Sequence, residues 1–482
     1  MSQPIIIIGA GLGGLATAAR LAHRGEKVIL LEKTDQVGGR CRSVQVGDCT
    51  FDAGPTLMMM LDPFRKLFSD LGTRLEDHLD ISLCDPSYRV FYADGSQFEG
   101  TIDRAEMVRR ITELAGPEEA ARYPKLIDDL ASLYKDAIPN FVEKNFYSPL
   151  DFFGVKQLGL VAKHKMIANL AGRIEKYVTD PRLRMLFSFQ TMYLGLSPYD
   201  APWVYAVLTY MEYGEGIWFP QGGMAEITRA VGRLAESKGA EIRLNTPVKL
   251  IVGKTVILES GETIEAKAVV SNADLPYTEK TLQELPPKDS RRYSCSAVMF
   301  YMDYEGSLPD LLHHNVFFGS DFKGNLDNLF HAPLRVPDEP AFYACISART
   351  DGSMAPEGRE NLYVLVPSPN LDYNTTPADL EKIRAHVFRR LSAVSSFDPA
   401  NIKTSLDYTA QDWATDLNLD RGAAFGLSHD FWQSAFFRPG NKSRQQPGVY
   451  YVGASTMPGN GLPMVLISAD LAVQRLEHDK VI

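Results

Sequence analysis

The stretch that decides the fold is PIIIIGAGLGGLATAARLAHRGEKVILLEK, residues 4–33. Ile5–Ile8 is a short β-branched run, which is typical of a buried parallel strand. The glycine-rich loop 9–14 follows, and helix-forming residues then continue from Leu15 to Arg24. A second apolar strand is predicted at Val28–Leu31. The pattern predicts a strand–helix–strand unit that opens a parallel sheet.

The loop has the spacing GxGxxG, which is typical of dinucleotide binding in this context. It contains Gly9, Ala10, Gly11, Leu12, Gly13 and Gly14. Gly9 allows a tight turn, Gly11 lets a pyrophosphate approach the backbone, and Gly14 lets the helix pack closely on the strand. The helix N-terminus offers unpaired N–H groups to the phosphates. Glu32 ends the second strand, where a carboxylate accepts hydrogen bonds from a ribose and repels the 2′-phosphate of NADP.

Further glycine motifs favour FAD over NAD. Gly38, Gly39 and Arg40 follow the ribose acid closely and would return a cation to the pyrophosphate. The run Gly54, Pro55 and Thr56 predicts another close backbone approach. Near the C-terminus, a β-run at 449–452 leads into a loop that would present backbone amides to the flavin. The cofactor residues expected in that loop are Gly453, Gly461, Leu462 and Pro463.

Taken together, these motifs resemble those of the bacterial and fungal phytoene desaturase family, within the flavin amine oxidase-like superfamily. The resemblance rests on the order GAGLGG–LLEK–GGR–DAGPT, on WFPQGG at 218–223, and on SAFFRPGNKS and GVYYVGASTMPGNGLPMVLISADLAVQRL between 434 and 476. It spans essentially the whole chain. It implies that Lys33 belongs to the FAD site and that the backbone of Val248 borders the adenine.

The resemblance implies an α/β fold with a discontinuous Rossmann-like FAD-binding domain, a mixed β-sheet substrate domain and a helical lid. The expected boundaries are 1–75, 215–295 and 440–482 for the FAD domain, 76–104 and 296–439 for the substrate domain, and 105–214 for the helical, membrane-facing part.

The implied activity is an FAD-dependent oxidoreductase acting on CH–CH groups. It removes hydrogen across C–C bonds of phytoene or a related C40 or C30 polyene, by hydride transfer to flavin N5 and proton loss. The final electron acceptor, oxygen or a quinone, stays open. Two alternatives use the same fold: a flavin amine oxidase, and a non-catalytic prenyl-binding escort protein.

No other catalytic motif competes with this interpretation. GxSxG, HExxH and Walker motifs are absent from the sequence, no metal site is predicted, and His313-His314 is interpreted as a structural loop pair. The flavin would then supply the difficult chemistry, and a delocalised allylic cation needs only a weak base. Asp151 is the one carboxylate that we single out as a base or electrostatic partner, and a helix-start cap is its alternative role.

Composition indicates the binding partners and the cellular compartment. Lys and Arg number 50 against 60 Asp and Glu, a net charge of −10, which excludes a typical nucleic-acid binder. The few scattered cysteines are typical of a reduced cytoplasmic protein.

Residues 146–172 interleave apolar side chains with Lys156, Lys163 and Lys165. This segment is either a buried lid or a bilayer-contacting element. Because the polyene is insoluble in water, we expect a cytoplasmic protein with peripheral membrane contact.

Overall fold

The structure is a computed structural model that describes residues 3–288 and 290–482. The strands in chain order are β1 (Ile5–Ile8), β2 (Val28–Leu31), β3 (Ser43–Val46), β4 (Cys49–Asp52), β5 (Ile81–Cys84), β6 (Arg89–Phe91), β7 (Gln97–Glu99), β8 (Ile217–Pro220), β9 (Glu241–Arg243), β10 (Val248–Val252), β11 (Thr255–Leu258), β12 (Thr263–Glu265), β13 (Ala268–Ser271), β14 (Ser296–Glu305), β15 (His314–Phe317), β16 (Phe342–Ile346), β17 (Arg359–Ser368), β18 (Ile402–Tyr408) and β19 (Val449–Tyr451).

The α-helices in chain order are α1 (Leu12–His23), α2 (Leu61–Asp70), α3 (Arg104–Ala115), α4 (Pro117–Ala120), α5 (Tyr123–Ala137), α6 (Pro149–Phe152), α7 (Val155–His164), α8 (Leu170–Ile174), α9 (Pro181–Leu186), α10 (Val207–Tyr210), α11 (Ala225–Ser237), α12 (Leu275–Tyr277), α13 (Phe322–Phe330), α14 (Pro377–Val394), α15 (Ala410–Leu417) and α16 (Leu462–His478).

A parallel sheet with the strand order β19-β13-β1-β2-β9 carries the glycine-rich loop. Ile5 and Ile7 of β1 pack in one core with α1, α11 and α16, whereas Ile6 and Ile8 pack in a second core with β10 and β11. Because both faces are covered, the strands are apolar throughout rather than alternating. The predicted α/β fold class is confirmed. The strands come from each of the three predicted FAD-domain pieces, whose exact boundaries stay a prediction.

A mixed seven-stranded sheet lies beside it, in the order β18-β14-β17-β16-β15-β6-β7. Strands β6 and β15 are parallel, and the other neighbours are antiparallel. Strands β6 and β7 form a hairpin with Asp94 and Gly95 at its turn. Strand β8, which contains Trp218, pairs with β5 and not with the parallel sheet. The start of the second FAD-domain piece therefore pairs with the predicted substrate domain.

The third part of the molecule is helical. Every regular element that the structure describes from Arg104 to Glu215 is a helix or helical turn, including π-helical turns at Ile138–Val142 and Met211–Glu215. None of the helices in residues 3–288 and 290–482 combines the length and apolarity that crossing a bilayer requires. Segment 146–172 is split among α6, α7 and the start of α8 instead of forming one long helix.

Candidate active site

A cavity of about 820 Å³ lies where the parallel sheet, the seven-stranded sheet and the helical part meet. One end is lined by the glycine-rich loop and the strand-end acid, and the other by helical side chains. A cavity bounded by several structural units and lined mostly by apolar groups is the usual form of a ligand site.

The glycine-rich loop packs closely against its own backbone and against Asn272. A Cβ on Gly14 would lie 2.1 Å from the carbonyl oxygen of Gly9, and one on Gly11 would lie 2.7 Å from Asn272 Oδ1. Neither position therefore accommodates a side chain. Gly38 N donates to the Ala10 carbonyl at 2.8 Å, so the second glycine motif folds back onto the first.

Glu32 lies at the end of β2, nearly buried, and borders the cavity. Its Oε2 accepts a hydrogen bond from Ala10 N–H at 2.7 Å. Its Oε1 accepts from both the N–H and the hydroxyl of Thr34 at 2.9 Å. The carboxylate therefore orders the glycine-rich loop itself, beyond the ribose contact predicted from the sequence.

Charged side chains line the same end. Burial lowers the pKa of the Lys33 ammonium, and the nearby Glu32 carboxylate opposes that shift. Arg40 donates to the Ala424 carbonyl at 3.0 Å; burial lowers its pKa and Asp274 opposes the shift. A Cβ on Gly54 would lie 2.5 Å from the Arg40 carbonyl oxygen. These contacts hold the second and third motifs against each other.

Arg438 fixes the C-terminal loop at the cavity wall. It is buried, and its guanidinium donates to five backbone carbonyls, those of Leu427, Ser428, Gln433, Ala454 and Thr456. Burial lowers its pKa to about 10. The sequence motif around this residue indicated family resemblance, but not its anchoring role.

The structure gathers nearly all predicted cofactor residues around the cavity. The lining includes Gly9, Gly11, Leu12, Gly13, Glu32, Lys33, Gly38, Gly39, Arg40, Gly54, Pro55, Thr56, Val248, Gly453, Gly461, Leu462 and Pro463. Ala10 and Gly14 do not line it and support the loop from behind. Their individual contacts with FAD stay predictions.

Asp151 does not reach this cavity. Its Oδ2 accepts from the backbone N–H groups of Tyr147 and Ser148 at 2.9 Å, which completes the capping interaction at the start of α6. These hydrogen bonds lower its pKa. The geometry is that of a helix-start cap, with Ser148 rather than Asp151 at the N-cap position. A catalytic role for Asp151 stays an untested prediction.

Several cavity residues were not singled out from the sequence. Asn272 lies below the glycine-rich loop and donates from Nδ2 to the Val452 carbonyl at 3.1 Å. His429 Nδ1 and Asn460 Oδ1 are buried in the cavity wall, and neither has a hydrogen-bond partner among residues 3–288 and 290–482. The turn that contains Asn272 and the glycine-rich C-terminal loop that contains Asn460 are sequence patterns that could have indicated these two residues. No sequence pattern indicates His429.

The other end of the cavity is apolar. Its lining includes Phe141, Met192, Leu208, Met211, Phe318 and Leu326. The stretch 185–219 supplies Met192, Leu208 and Met211. Such a surface favours a hydrocarbon and offers few partners to a polar substrate.

The histidine pair is more ordered than a loop. His314 begins β15, and both rings are buried. Thr350 contacts His313 Nδ1 and Tyr343 contacts His314 Nδ1, each at 2.6 Å. With Cys84, the pair places three possible metal ligands within 4.8 Å of one another, which is one fewer than a structural zinc site has.

Comparison with known proteins agrees with this geometry. Residues 12–476 match the family described as flavin containing amine oxidoreductase. The structure resembles cyclohexylamine oxidase from Brevibacterium oxydans with a TM-score of 0.59 at 16% identity, covering 100% of both chains. It also resembles a putrescine oxidase with a TM-score of 0.63 at 17% identity, covering 100% of this chain and 99% of the other. The fold and the cavity therefore define an FAD-dependent flavoprotein.

Three relatives of similar sequence show to which family of flavoproteins the chain belongs. The chain is 41% identical to a zeta-carotene-forming phytoene desaturase of Myxococcus xanthus, over 98% of this chain and 93% of the relative. It is 36% identical to phytoene desaturase of Neurospora crassa, over 98% and 84%. It is 31% identical to a 4,4'-diapophytoene desaturase of Staphylococcus haemolyticus, over 98% and 99%. The chain belongs to the carotenoid desaturase family, as the sequence motifs indicated.

The residues present fit FAD. Gly9, Gly11 and Gly13 present backbone without side chains to the cavity, and Asn460 Oδ1 of the C-terminal loop is buried without a hydrogen-bond partner among the described residues. The chain is accordingly an FAD-dependent oxidoreductase acting on CH–CH groups. The amine oxidase and escort alternatives are less well supported than desaturation.

Proposed function

We propose that this enzyme desaturates phytoene or a related C40 or C30 polyene. The observation that carries the proposal is the continuity of the cavity, which joins the glycine-rich loop at one end to apolar helical side chains at the other. A long hydrocarbon can therefore lie beside the cofactor while its chain stays out of water.

Residues at one end of the cavity would bind the cofactor, and residues at the other end would orient the polyene. The N-termini of α1 and α16 and the Glu32 carboxylate would hold the cofactor, which when bound supplies the hydride acceptor. The apolar wall formed by residues such as Met192 and Phe318 orients the polyene by shape alone, because a hydrocarbon offers no hydrogen bonds. The same wall excludes water from the developing cation.

The deciding experiment is expression in a phytoene-accumulating bacterium, followed by pigment analysis. Coloured products with added conjugated double bonds are expected from the parent, and none from Gly11→Val, the control whose side chain fills the phosphate position. A parallel strain that accumulates the C30 precursor reports chain length. Amine-dependent peroxide release without any new pigment would contradict the proposal.

We further propose a membrane contact beside the cavity mouth. The apolar surface, defined as the exposed side chains of 147–158 together with those of 431–437, includes Val155 at 91%, Leu150 at 81% and Trp432 at 65% exposure. Such clustered exposure is unusual on a soluble protein and typical of an interaction site.

Aromatic contacts connect this apolar surface to the cavity. Phe141 lines the cavity and contacts Phe152, with ring centroids 5.9 Å apart. Phe152 stacks on Phe436 at 5.6 Å, and Phe436 contacts Phe437 at 5.9 Å. Ser434 and Ala435 border the cavity directly. A polyene dissolved in a bilayer would thus meet an apolar route to the site.

The lysines of the segment contribute unequally. Lys163 Nζ lies 2.7 Å from Asp136 Oδ2, so part of its charge is already neutralised. Lys156 and Lys165 are exposed and form no ion pair within the described residues. They are better placed for anionic headgroups, each at about 1 kcal/mol near the surface. Apolar insertion adds roughly 25 cal/mol per Å² of buried surface.

Co-sedimentation with phosphatidylserine-containing vesicles at low and high salt tests the contact. We expect the parent to pellet, Leu150→Ser/Trp432→Ser to remain in solution, and Lys156→Glu/Lys165→Glu to bind weakly with little further salt dependence. Leu371→Ser, at another exposed leucine, is the matched control. If all four proteins pellet equally, the segment is not the contact surface.

A further inference from the structure

A buried acid lies directly behind the cavity wall, in a position that the sequence did not suggest. Glu212 is fully buried and belongs to the π-helical turn Met211–Glu215. Such turns are uncommon and recur at functional sites. Met211, the residue before it, lines the cavity. An unpaired buried carboxylate is costly, so its presence calls for a physical reason.

Hydrogen bonds connect this acid to the cavity. Tyr193 Oη donates to Glu212 Oε2 at 2.7 Å, and Tyr88 Oη lies 2.5 Å from Tyr193 Oη. Both tyrosines line the cavity. The hydroxyl proton of Tyr193 is donated to the carboxylate, so Tyr88 is the donor in the hydrogen bond between the two tyrosines. The oxygen of Tyr88 keeps a lone pair that can accept a proton.

The hydrogen-bonded series Tyr88–Tyr193–Glu212, called the relay below, lies at the cofactor end of the apolar region. Tyr343 Oη is 2.9 Å from Thr56 Oγ1, in the third cofactor motif, and the ring centroids of Tyr88 and Tyr343 are 6.5 Å apart. The hydroxyl chain therefore begins one aromatic ring away from the third cofactor motif.

Neutral side chains surround the Glu212 carboxylate. It faces Gln190 and Tyr193 from the turn Phe189–Leu194, Tyr213 from its own turn, and Tyr88 beyond Tyr193. Within the described residues, no lysine, arginine or histidine forms an ion pair with it. Burial raises its pKa to about 7, partly offset by the hydrogen bonds from Tyr193 and Gln190. Acids poised near the working pH are suited to proton transfer.

We propose that Glu212, acting through Tyr193 and Tyr88, receives the proton that the polyene loses during desaturation. This rests on the proposed function. After hydride removal leaves an allylic cation, a C–H bond on the neighbouring carbon breaks and its electron pair becomes the new C=C bond. Tyr88 Oη takes that proton as it passes its own to Tyr193, which passes its own to the Glu212 carboxylate.

The transfer balances charge and restores both tyrosines. A cation and a carboxylate become a neutral polyene and a carboxylic acid, which suits a site from which water is excluded. Tyr88 meets the substrate and is the catalytic residue of the relay. Tyr193 and Glu212 are positioning residues behind it, and the carboxyl group is where the proton ends.

The test compares Glu212→Gln, Glu212→Asp, Tyr88→Phe and Tyr193→Phe with the parent as FAD-loaded enzymes. The control is Glu215→Gln in the same π-helical turn, because Glu215 instead accepts from Tyr134 Oη at 3.2 Å. We expect kcat to fall about 100-fold in Glu212→Gln and Tyr88→Phe, the size of a general-base contribution. KM and FAD content should change by less than about twofold.

The pH profile separates proton transfer from mere packing. The parent kcat should rise with pH through an apparent pKa near 7, because the carboxylate is the active form. That limb should vanish in Glu212→Gln and return, shifted, in Glu212→Asp. Retention of the limb by Glu212→Gln, or its loss in Asp151→Asn instead, would overturn the proposal.

A second measurement does not depend on turnover. Infrared difference spectra of the parent between about pH 5.5 and pH 8.5 should show protonated carboxyl bands, of which the Glu212 component is lost in Glu212→Gln while the Asp52 component remains. If that variant loses FAD, Tyr193→Phe carries the kinetic test, and an unchanged pH limb there counts against the relay. Failure of the parent to form any coloured polyene would refute the proposed function, whereas the infrared result stands apart from it.

Discussion

Replacing Glu32 by alanine separates two contributions of one carboxylate. In the structure the carboxylate accepts from Ala10 N–H at 2.7 Å and from two donors of Thr34 at 2.9 Å. The Ala10 N–H is buried, and without the acid it has no acceptor. Leaving such a group unpaired costs about 1–3 kcal/mol, so the free energy of unfolding of the FAD-free protein should fall by that amount.

The second contribution is to FAD. Loss of a charged acceptor for the ribose hydroxyls removes about 1.5–3 kcal/mol, which is roughly a ten- to hundredfold weaker Kd. Fluorescence titration with FAD measures the Kd, and urea denaturation of the FAD-free protein measures the first contribution. Glu32→Gln should be intermediate, because an amide retains one acceptor.

The control is Glu241→Ala, on β9 of the same sheet. Glu241 pairs with Arg243 at 2.7 Å at the surface, where such pairs contribute less than about 1 kcal/mol. Its FAD Kd should match the parent. If Glu32→Ala loses stability but binds FAD as tightly as the parent, the carboxylate orders the loop alone and the ribose role is wrong.

Three further outcomes are expected. Gly11→Val should lose stoichiometric FAD, because its side chain would obstruct the approach of the pyrophosphate to the backbone, and its Cβ would also displace Asn272 Oδ1 at 2.7 Å; a yellow variant with a full flavin spectrum contradicts this. Arg438→Lys loses most of five hydrogen bonds and should weaken FAD retention and lower the unfolding free energy by about 3 kcal/mol, measured by chemical denaturation. Asp52 is buried with its pKa raised to about 7, so it is protonated in the folded state at pH values where the unfolded chain has lost the proton. The contribution of Asp52 to stability should therefore fall as pH rises from about 4 to about 7, by up to about 4 kcal/mol, and Asp52→Asn should reduce the slope to the part that Glu212 contributes; an unchanged slope refutes the assignment.

The cofactor half of the site could be predicted from the sequence because its rules are local. The spacing of Gly9, Gly11 and Gly14 after a β-branched run specifies a turn, a close approach and a helix start within one short segment. The same holds for Gly38-Gly39-Arg40, whose backbone folds onto the first loop. Each motif contains its own physical reason, so the prediction needed no knowledge of distant contacts.

Segment 146–172 shows where local reasoning ends. Its apolar residues surround the helical wheel, a pattern that favours a buried lid over a bilayer contact without deciding between them. The structure exposes Leu150 and Val155 and pairs Lys163 with Asp136, a residue of another helix. Burial depends on what packs against a segment, and the sequence of the segment alone does not contain that.

The sequence by itself determined the family, the cofactor and the βαβ start, because glycine geometry and strand-end acids act within a few residues. Only the tertiary structure decided which acid stands near the cavity. Asp151 lies in an apolar run but caps α6 at the surface, whereas Glu212 is buried behind Tyr193. The pKa of a carboxyl group and its access to substrate depend on side chains brought together from distant parts of the chain, and folding alone places them.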